Sequence, residues 1–171
     1  MIATLALLLG YSFPYAEATR NANERPRLIQ GMSLVEAGSW AIDGPAARGL
    51  KTGPDVARSP VDQRLYPNKP PGATLTTAPA YCLARAHARA RGEALTLRRY
   101  TWWARLLGGL APTLLLCGFL WRRLTAGATR RGARAYAPVA LALVVYALGT
   151  PANAYAHLLY GHQLAACSLW V

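Results

Sequence analysis

The sequence predicts an all-α fold: a polytopic membrane protein that carries a long extracytoplasmic loop with amphipathic interfacial helices. Two stretches without Asp, Glu, Lys or Arg favour this class, residues 106–121 and residues 135–171. Soluble domains rarely keep stretches of that length free of acids and bases. In addition, all 7 acidic residues lie within residues 17–99. Because a carboxylate is costly in hydrocarbon, this segment is predicted to lie just outside the bilayer.

Residues 1–16 are predicted to form the first transmembrane helix, since they are apolar and have aromatic side chains near their end. A cleaved signal peptide is the alternative reading. Ala16-Glu17-Ala18 is similar to a small-x-small cleavage site, but the basic region that normally starts such peptides is absent. Residues 17–101 then form the extracytoplasmic loop.

Two interfacial helices are expected in this loop. Residues 25–37 place apolar side chains at helical spacing, with Pro26 in the first turn and Gly38 just past the end. Residues 42–71 are so rich in Gly, Pro, Asp and Ser that a long regular element is excluded. Residues 73–91 are moderately apolar and contain several arginines, which favours an interfacial helix over a spanning one.

The second transmembrane helix is predicted at residues 102–121, about the twenty residues that a hydrocarbon core needs. Arg105, near its start, is expected to snorkel to the surface. Residues 122–134 are rich in arginine and contain no acid, which predicts a cytoplasmic loop. The arginines among residues 85–99 favour the opposite orientation, but charges in a long loop have less influence.

The rest of the chain is predicted to return through the membrane. Residues 135–149 form the third transmembrane helix, residues 150–157 a short outer loop, and residues 158–171 the start of a fourth, truncated helix. We therefore expect the N-terminal part of a longer, multi-pass protein of the cytoplasmic (inner) membrane.

Composition argues against several other classes. The formal charge of +12 comes mostly from arginines in loops around apolar helices, without an RNA-binding or zinc-finger motif, so nucleic acid is not an expected partner. Cys82, Cys117 and Cys167 are an odd number at no metal-ligand spacing. Neither a disulfide framework nor a zinc site is predicted.

An ordered set of motifs carries a family resemblance. Asn23-Glu24 opens the loop, Gly38-Ser39-Trp40 follows the first interfacial helix, and Lys69-Pro70-Pro71 comes later. Two further motifs, Trp121-Arg122-Arg123 and Gly149-Thr150-Pro151, end the next two spans. The set resembles the start of the GT-C membrane glycosyltransferases, in particular lipid A aminoarabinose transferases and protein O-mannosyltransferases.

The resemblance implies specific roles. Asn23 and Glu24 match the catalytic pair. Because Asn23 stands where the family has an acid, either Glu24 takes over the acidic role, as the base, or the mechanism is altered. Lys69 would bind the phosphate of the donor, with Arg25, Arg27 and His162 nearby. Each residue also has a purely structural interpretation. Glu24 would be a carboxylate that stabilises the start of a helix, Lys69 a solvated loop lysine, and His162 a hydrogen-bonding residue at a helix end.

Two more residues are candidates for the site. Trp40 is either a sugar platform or, more simply, an interfacial anchor. His157 lies five positions before His162, not the three or four that would place both on one helical face for a metal. A metal site is therefore not predicted, although the resemblance leaves the use of a divalent metal open.

The function implied is transfer of a sugar from a polyprenyl-phosphate donor to a lipid, glycan or protein acceptor at the outer membrane face. The expected partners are this donor, the acceptor and membrane lipids, and no cofactor is assigned. We expect the fragment to be inactive alone. The alternative is a small non-enzymatic membrane protein whose basic loop binds lipid headgroups or a partner. A secreted basic domain is the third reading.

Overall fold

The computed structural model describes residues 1–13, 19, 22–126 and 136–170. This part of the chain is mostly helical, as predicted. Its helices, in chain order, are α1 (Ile2–Ser12), α2 (Glu24–Ala37), α3 (Asp43–Ala47), α4 (Thr74–Ala90), α5 (Leu97–Arg105), α6 (Ala111–Thr125), α7 (Tyr136–Gly149), α8 (Ala152–His157) and α9 (Gly161–Trp170). The predicted cleavage motif and residues 127–134 of the predicted basic loop lie outside the described residues.

Helix α2 forms where the periodicity predicts it. It ends at Gly38, which has a φ of +61° and donates its N–H to the Leu34 carbonyl. Only glycine adopts this left-handed conformation at little cost. The helix is not a simple amphipathic one, however, because polar residues such as Gln30 and Ser33 are buried alongside Leu28 and Ile29.

The burial of α2 is explained by its packing against α4 and α5. Leu28 lies in one apolar cluster with Tyr81 of α4 and Tyr100 of α5. The Tyr100 hydroxyl donates to the Leu28 carbonyl at 2.8 Å. Gly31 permits this approach, since a Cβ there would lie 2.1 Å from Thr77 Oγ1. The two predicted interfacial helices thus form one layer with the start of the next helix.

A second cluster contains the apolar helices. Leu5 and Leu9 of α1 pack with Cys117 of α6 and with Leu143 of α7. The ring of Trp121 stacks on that of Tyr136 at 5.8 Å, which joins the end of α6 to the start of α7.

The segment between α3 and α4 has little regular structure, as its composition predicts. Within the described residues it adds one element that the sequence analysis did not foresee, an antiparallel pair of three-residue strands, β1 (Val56–Arg58) and β2 (Leu65–Pro67). The hairpin is tied to the helical layer because Leu65 accepts a hydrogen bond from Ile42 N at 2.9 Å and donates one to Asp43 Oδ2 at 2.9 Å.

Helices α5 and α6 join through a π-helical turn, Leu106–Leu110, into one continuous helix, Leu97–Thr125. It is longer than predicted. Among the described residues, this helix alone is long and apolar enough to cross a membrane; Ile2–Ser12 and Tyr136–Gly149 are apolar but shorter.

One sequence prediction in this region, on Arg105, is wrong, and a second segment has more regular structure than expected. Arg105 does not snorkel, because its side chain is only 3 % exposed and points inward to Glu24. The predicted outer loop of residues 150–157 is largely helical, since it contains α8. This segment packs closely on the π-helical turn, where a Cβ on Gly109 would lie 2.8 Å from the Ala156 carbonyl oxygen.

Candidate functional site

A cleft of about 760 Å³ brings together side chains that are far apart in the sequence. We call it the donor cleft, because its cationic side chains are hydrogen-bond donors. Its walls come from the start of α2, from the segment before and into α4, and from α9 with the residue before it. The polar side chains lining it are Asn23, Arg27, Lys69, Tyr160, His162 and Ser168. Leu75, Leu164 and Ala165 supply apolar surface. Four residues named from the sequence therefore meet here.

Arg27 lies deepest among the cations of the donor cleft. It is 8 % exposed, and its Nη1 donates to the Leu159 carbonyl at 3.2 Å. Its Nε is buried and has no hydrogen-bond partner among the described residues. Burial lowers the pKa of the guanidinium, and the nearby carboxylates of Asp55 and Glu24 oppose that shift. The guanidinium therefore keeps spare hydrogen-bonding capacity beside the cleft.

Lys69 reaches the cleft from the opposite wall. It follows β2 and precedes Pro70, whose φ of −52° and ψ of 141° are extended. Pro71 then begins a short 3₁₀ turn that leads into α4. Pro70 and Pro71 restrict the backbone immediately after Lys69. The exposed lysine is thus carried on a stiff segment, which reduces the entropy lost when it binds an anion.

Asp55 lies near Arg27 and beside the backbone that precedes Lys69. Its backbone carbonyl accepts a hydrogen bond from Asn68 N at 3.1 Å, next to Lys69. Its Oδ2 is buried and has no hydrogen-bond partner among the described residues. The Asp55 charge also acts on Arg27. The carboxylate therefore offsets the positive charge behind the cleft without lining it.

His162 belongs to a group of three rings at the far wall. Its ring lies 4.7 Å from that of Tyr155 and 5.9 Å from that of Tyr160, centroid to centroid. The two tyrosine rings meet edge to face at 5.0 Å. Tyr160 and His162 both line the donor cleft. This wall offers ring faces together with groups that can donate hydrogen bonds.

Glu24 is buried between helices, whereas Asn23 and Arg27 on either side of it line the donor cleft. It is fully buried, and both carboxylate oxygens accept hydrogen bonds from Arg105, Nε to Oε1 and Nη2 to Oε2, each at 2.9 Å. Oε1 also accepts from Leu159 N at 3.0 Å. Within the described part of the chain, Glu24 does not line the donor cleft. Its carboxylate joins α2, α5 and the segment before α9.

Three other predicted residues lie away from the donor cleft. Arg25 Nε donates to Thr19 Oγ1 at 3.1 Å. Trp40 is 40 % exposed beyond the end of α2, and its carbonyl accepts from Gln30. His157 is buried against α1, with Nε2 2.7 Å from Ser12 Oγ and Nδ1 2.7 Å from the Asn153 carbonyl oxygen. His157 thus acts in helix packing.

Sequence reasoning missed Asp55, Arg105 and Tyr160 as parts of this region. Arg105 had a signal, since a lone arginine inside an apolar helix needs a buried acidic partner or access to the surface. Asp55 had none, because its loop has no regular pattern. Tyr160 becomes relevant only once α9 is placed beside α2.

The donor cleft is suited to an amphiphilic anion. Of the described residues that line it, none is acidic, and three can be cationic: Arg27, Lys69 and His162. Such groups favour phosphate or carboxylate oxygens. The apolar side chains of the same cleft can contact a hydrocarbon portion of the ligand.

No protein-family model matches this chain, and the searches of curated proteins and of solved structures likewise found no match.

Proposed function

We propose that this chain is part of a multi-pass membrane glycosyltransferase that uses a polyprenyl-phosphate sugar donor at the outer face of the membrane. The donor cleft takes the phosphate between Arg27, Lys69 and His162. The lipid chain lies along the apolar wall formed by Leu75 and α9. The sugar faces an acceptor whose identity is open.

One observation carries this proposal: residues 23, 27, 69 and 162, chosen from the sequence for this chemistry, line a single cleft. Their convergence does not follow from their positions in the chain. A departing lipid phosphate needs cationic stabilisation, and Arg27, Lys69 and His162 can supply it from the walls of the cleft.

The acceptor also needs a base. In the proposal Glu24 keeps this role, with Asn23 beside it in the cleft wall. Because Arg105 and Leu159 N occupy its oxygens, Glu24 can act as a base only after substrate binding displaces part of this contact. With a single carboxylate, an inverting displacement is favoured over a covalent route, which normally uses two.

The binding step is tested by titrating the purified chain with a polyprenyl phosphate and with the polyprenol of the same length. We expect the phosphate to bind and the alcohol to bind much more weakly. Lys69→Met should reduce phosphate affinity about tenfold, the usual effect of removing a charged hydrogen bond. Lys51→Met is the matched control, because Lys51 is exposed and does not line the cleft.

Equal binding of the alcohol and the phosphate, or equal effects of the two lysine substitutions, would refute the phosphate role. Competition between the polyprenyl phosphate and its sugar-linked form then tests the donor. We expect the sugar-linked form to bind more tightly, since Tyr160 and His162 add ring contacts. Tighter binding of the free phosphate would contradict a glycosyl-donor site.

A non-enzymatic membrane protein that binds lipid headgroups is the second candidate. It is favoured by a separate cluster at the start of α5, formed by Arg98, Arg99, Trp102 and Trp103. It predicts that substitutions at Lys69 and His162 have no effect on ligand binding, whereas charge removal at the arginines does.

A further inference from the structure

A second cleft, of about 360 Å³, lies where α4 ends and α5 begins. We call it the Trp-Arg cleft. Its lining residues are His87 of α4, Thr96 before α5, and Arg98, Arg99, Trp102 and Trp103 of α5. None of them lines the donor cleft. Two arginines and two indoles on one short helical segment form a cationic pocket with an aromatic wall.

Arg99 has unused hydrogen-bonding capacity in this cleft. Its Nη2 pairs with the exposed carboxylate of Glu93. Its Nη1 is buried and has no hydrogen-bond partner among the described residues. A buried donor without an acceptor is unfavourable, so a ligand that brings an acceptor gains binding energy once the guanidinium turns Nη1 toward the cleft.

His87 adds a hydrogen-bond donor to the Trp-Arg cleft, because its contact with Trp103 fixes which ring nitrogen carries the proton. Trp103 Nε1 lies 3.3 Å from His87 Nδ1. An indole N–H can only donate, so Nδ1 must accept, and the proton of the neutral imidazole is then on Nε2. With this N–H group and the two guanidinium groups, most polar groups of the cleft are hydrogen-bond donors. Of the described residues that line it, none is acidic.

The position of the cleft indicates an amphiphilic ligand. It lies at the start of Leu97–Thr125, the helix with the length and composition to cross a membrane. Trp102 is 41 % exposed and Leu97 is 40 % exposed. Tryptophan and arginine at a helix end are typical of the level where phosphate headgroups meet hydrocarbon.

We propose that the Trp-Arg cleft binds the phosphate of an anionic phospholipid. Arg98 and Arg99 contact the phosphate oxygens, His87 donates from Nε2, and Trp102 packs against the upper part of the acyl chains. Arg98 and Arg99 lie in the first turn of α5, where the positive end of the helix dipole repels their charges. A bound phosphate would offset this repulsion. The proposal does not depend on the glycosyltransferase assignment.

The test is a titration of the detergent-solubilised chain with phosphatidylglycerol, with phosphatidylcholine and with inorganic phosphate, followed by tryptophan fluorescence. Phosphatidylglycerol is expected to bind at least about tenfold more tightly than phosphatidylcholine, since each arginine near an anionic headgroup contributes about fivefold. Inorganic phosphate is expected to bind weakly because it lacks the acyl chains. Binding of inorganic phosphate as tight as that of the lipid would indicate a free-anion site and overturn the proposal.

Paired variants give the control. Arg98→Gln with Arg99→Gln should abolish the preference for phosphatidylglycerol. Arg89→Gln with Arg91→Gln removes the same charge from exposed positions at the end of α4, outside the cleft, and should leave the preference unchanged. Equal losses in the two double variants would show a general charge effect and overturn the site.

Trp102→Leu tests the site without changing its charge, and it should weaken phosphatidylglycerol binding. Normal affinity in this variant would contradict the cleft. Binding of polyprenyl phosphate, measured on the same samples, separates the two proposals, since it reports on the donor cleft and should be unchanged in all three variants. Circular dichroism checks that each variant keeps its helical content.

Discussion

Replacement of Glu24 by glutamine is expected to destabilise the fold by about 3 to 5 kcal/mol, the usual cost of breaking a buried ion pair on one side. Glu24 accepts hydrogen bonds from Arg105 Nε and Nη2, each at 2.9 Å, and from Leu159 N at 3.0 Å. Arg105 is 2 % exposed and Glu24 is fully buried. Glutamine keeps the shape but leaves the guanidinium charge buried without a counter-charge.

The assay is equilibrium unfolding of the purified chain in detergent, followed by circular dichroism. Glu93→Gln is the matched control. It breaks the ion pair between Arg99 and Glu93, and the Glu93 carboxylate is half exposed. Exposed pairs contribute little to stability, so this variant should unfold like the wild type.

A double replacement separates lost charge from lost packing. Glu24→Leu combined with Arg105→Met removes both charges and is expected to recover much of the stability lost in Glu24→Gln, because apolar residues often replace a buried pair without net cost. A Glu24→Gln variant as stable as the wild type would refute the structural role. Loss of activity in a stable variant would instead favour the catalytic role.

Three other outcomes are expected. Gly109→Ala should destabilise the fold by about 1 to 3 kcal/mol in the same unfolding assay, because the new Cβ meets the Ala156 carbonyl oxygen at 2.8 Å; Gly118→Ala, with open space at its Cβ, should not. Gly31→Ala should be at least as harmful, since its Cβ would lie 2.1 Å from Thr77 Oγ1; wild-type stability would contradict the close packing of α2 on α4. Burial raises the pKa of Glu36, but hydrogen bonds from Tyr81 and Arg48 outweigh it and leave this pKa below the usual 4.5. The stabilisation by Glu36 is therefore present above pH 4.5 and lost as the pH falls through the folded-state pKa. When the pH falls below 4.5, the free energy of unfolding in urea should therefore decrease less for Glu36→Gln than for the wild-type protein.

Local patterns predicted the helices well where spacing and capping agreed. Helix α2 was foreseen because apolar periodicity, Pro26 and Gly38 all point to the same boundaries. The two short strands were not, since three residues carry no measurable alternation. The snorkelling of Arg105 was wrong because a sequence does not show that an acid 81 positions earlier lies beside it.

Residue type and local spacing were enough to identify the candidate side chains for the proposed chemistry. The sequence confined the acids to one segment, set Lys69 between prolines and placed His162 in an apolar region, because these properties depend on residue type and local spacing. The tertiary structure decided which of them share a site. Packing of α2 against α4, and of α9 against the turn Pro71–Ala73, joins residues 23, 27, 69 and 162 at one cleft. Glu24 is buried with Arg105 in the same fold. Such contacts depend on burial and charge compensation between distant segments, which local spacing does not encode.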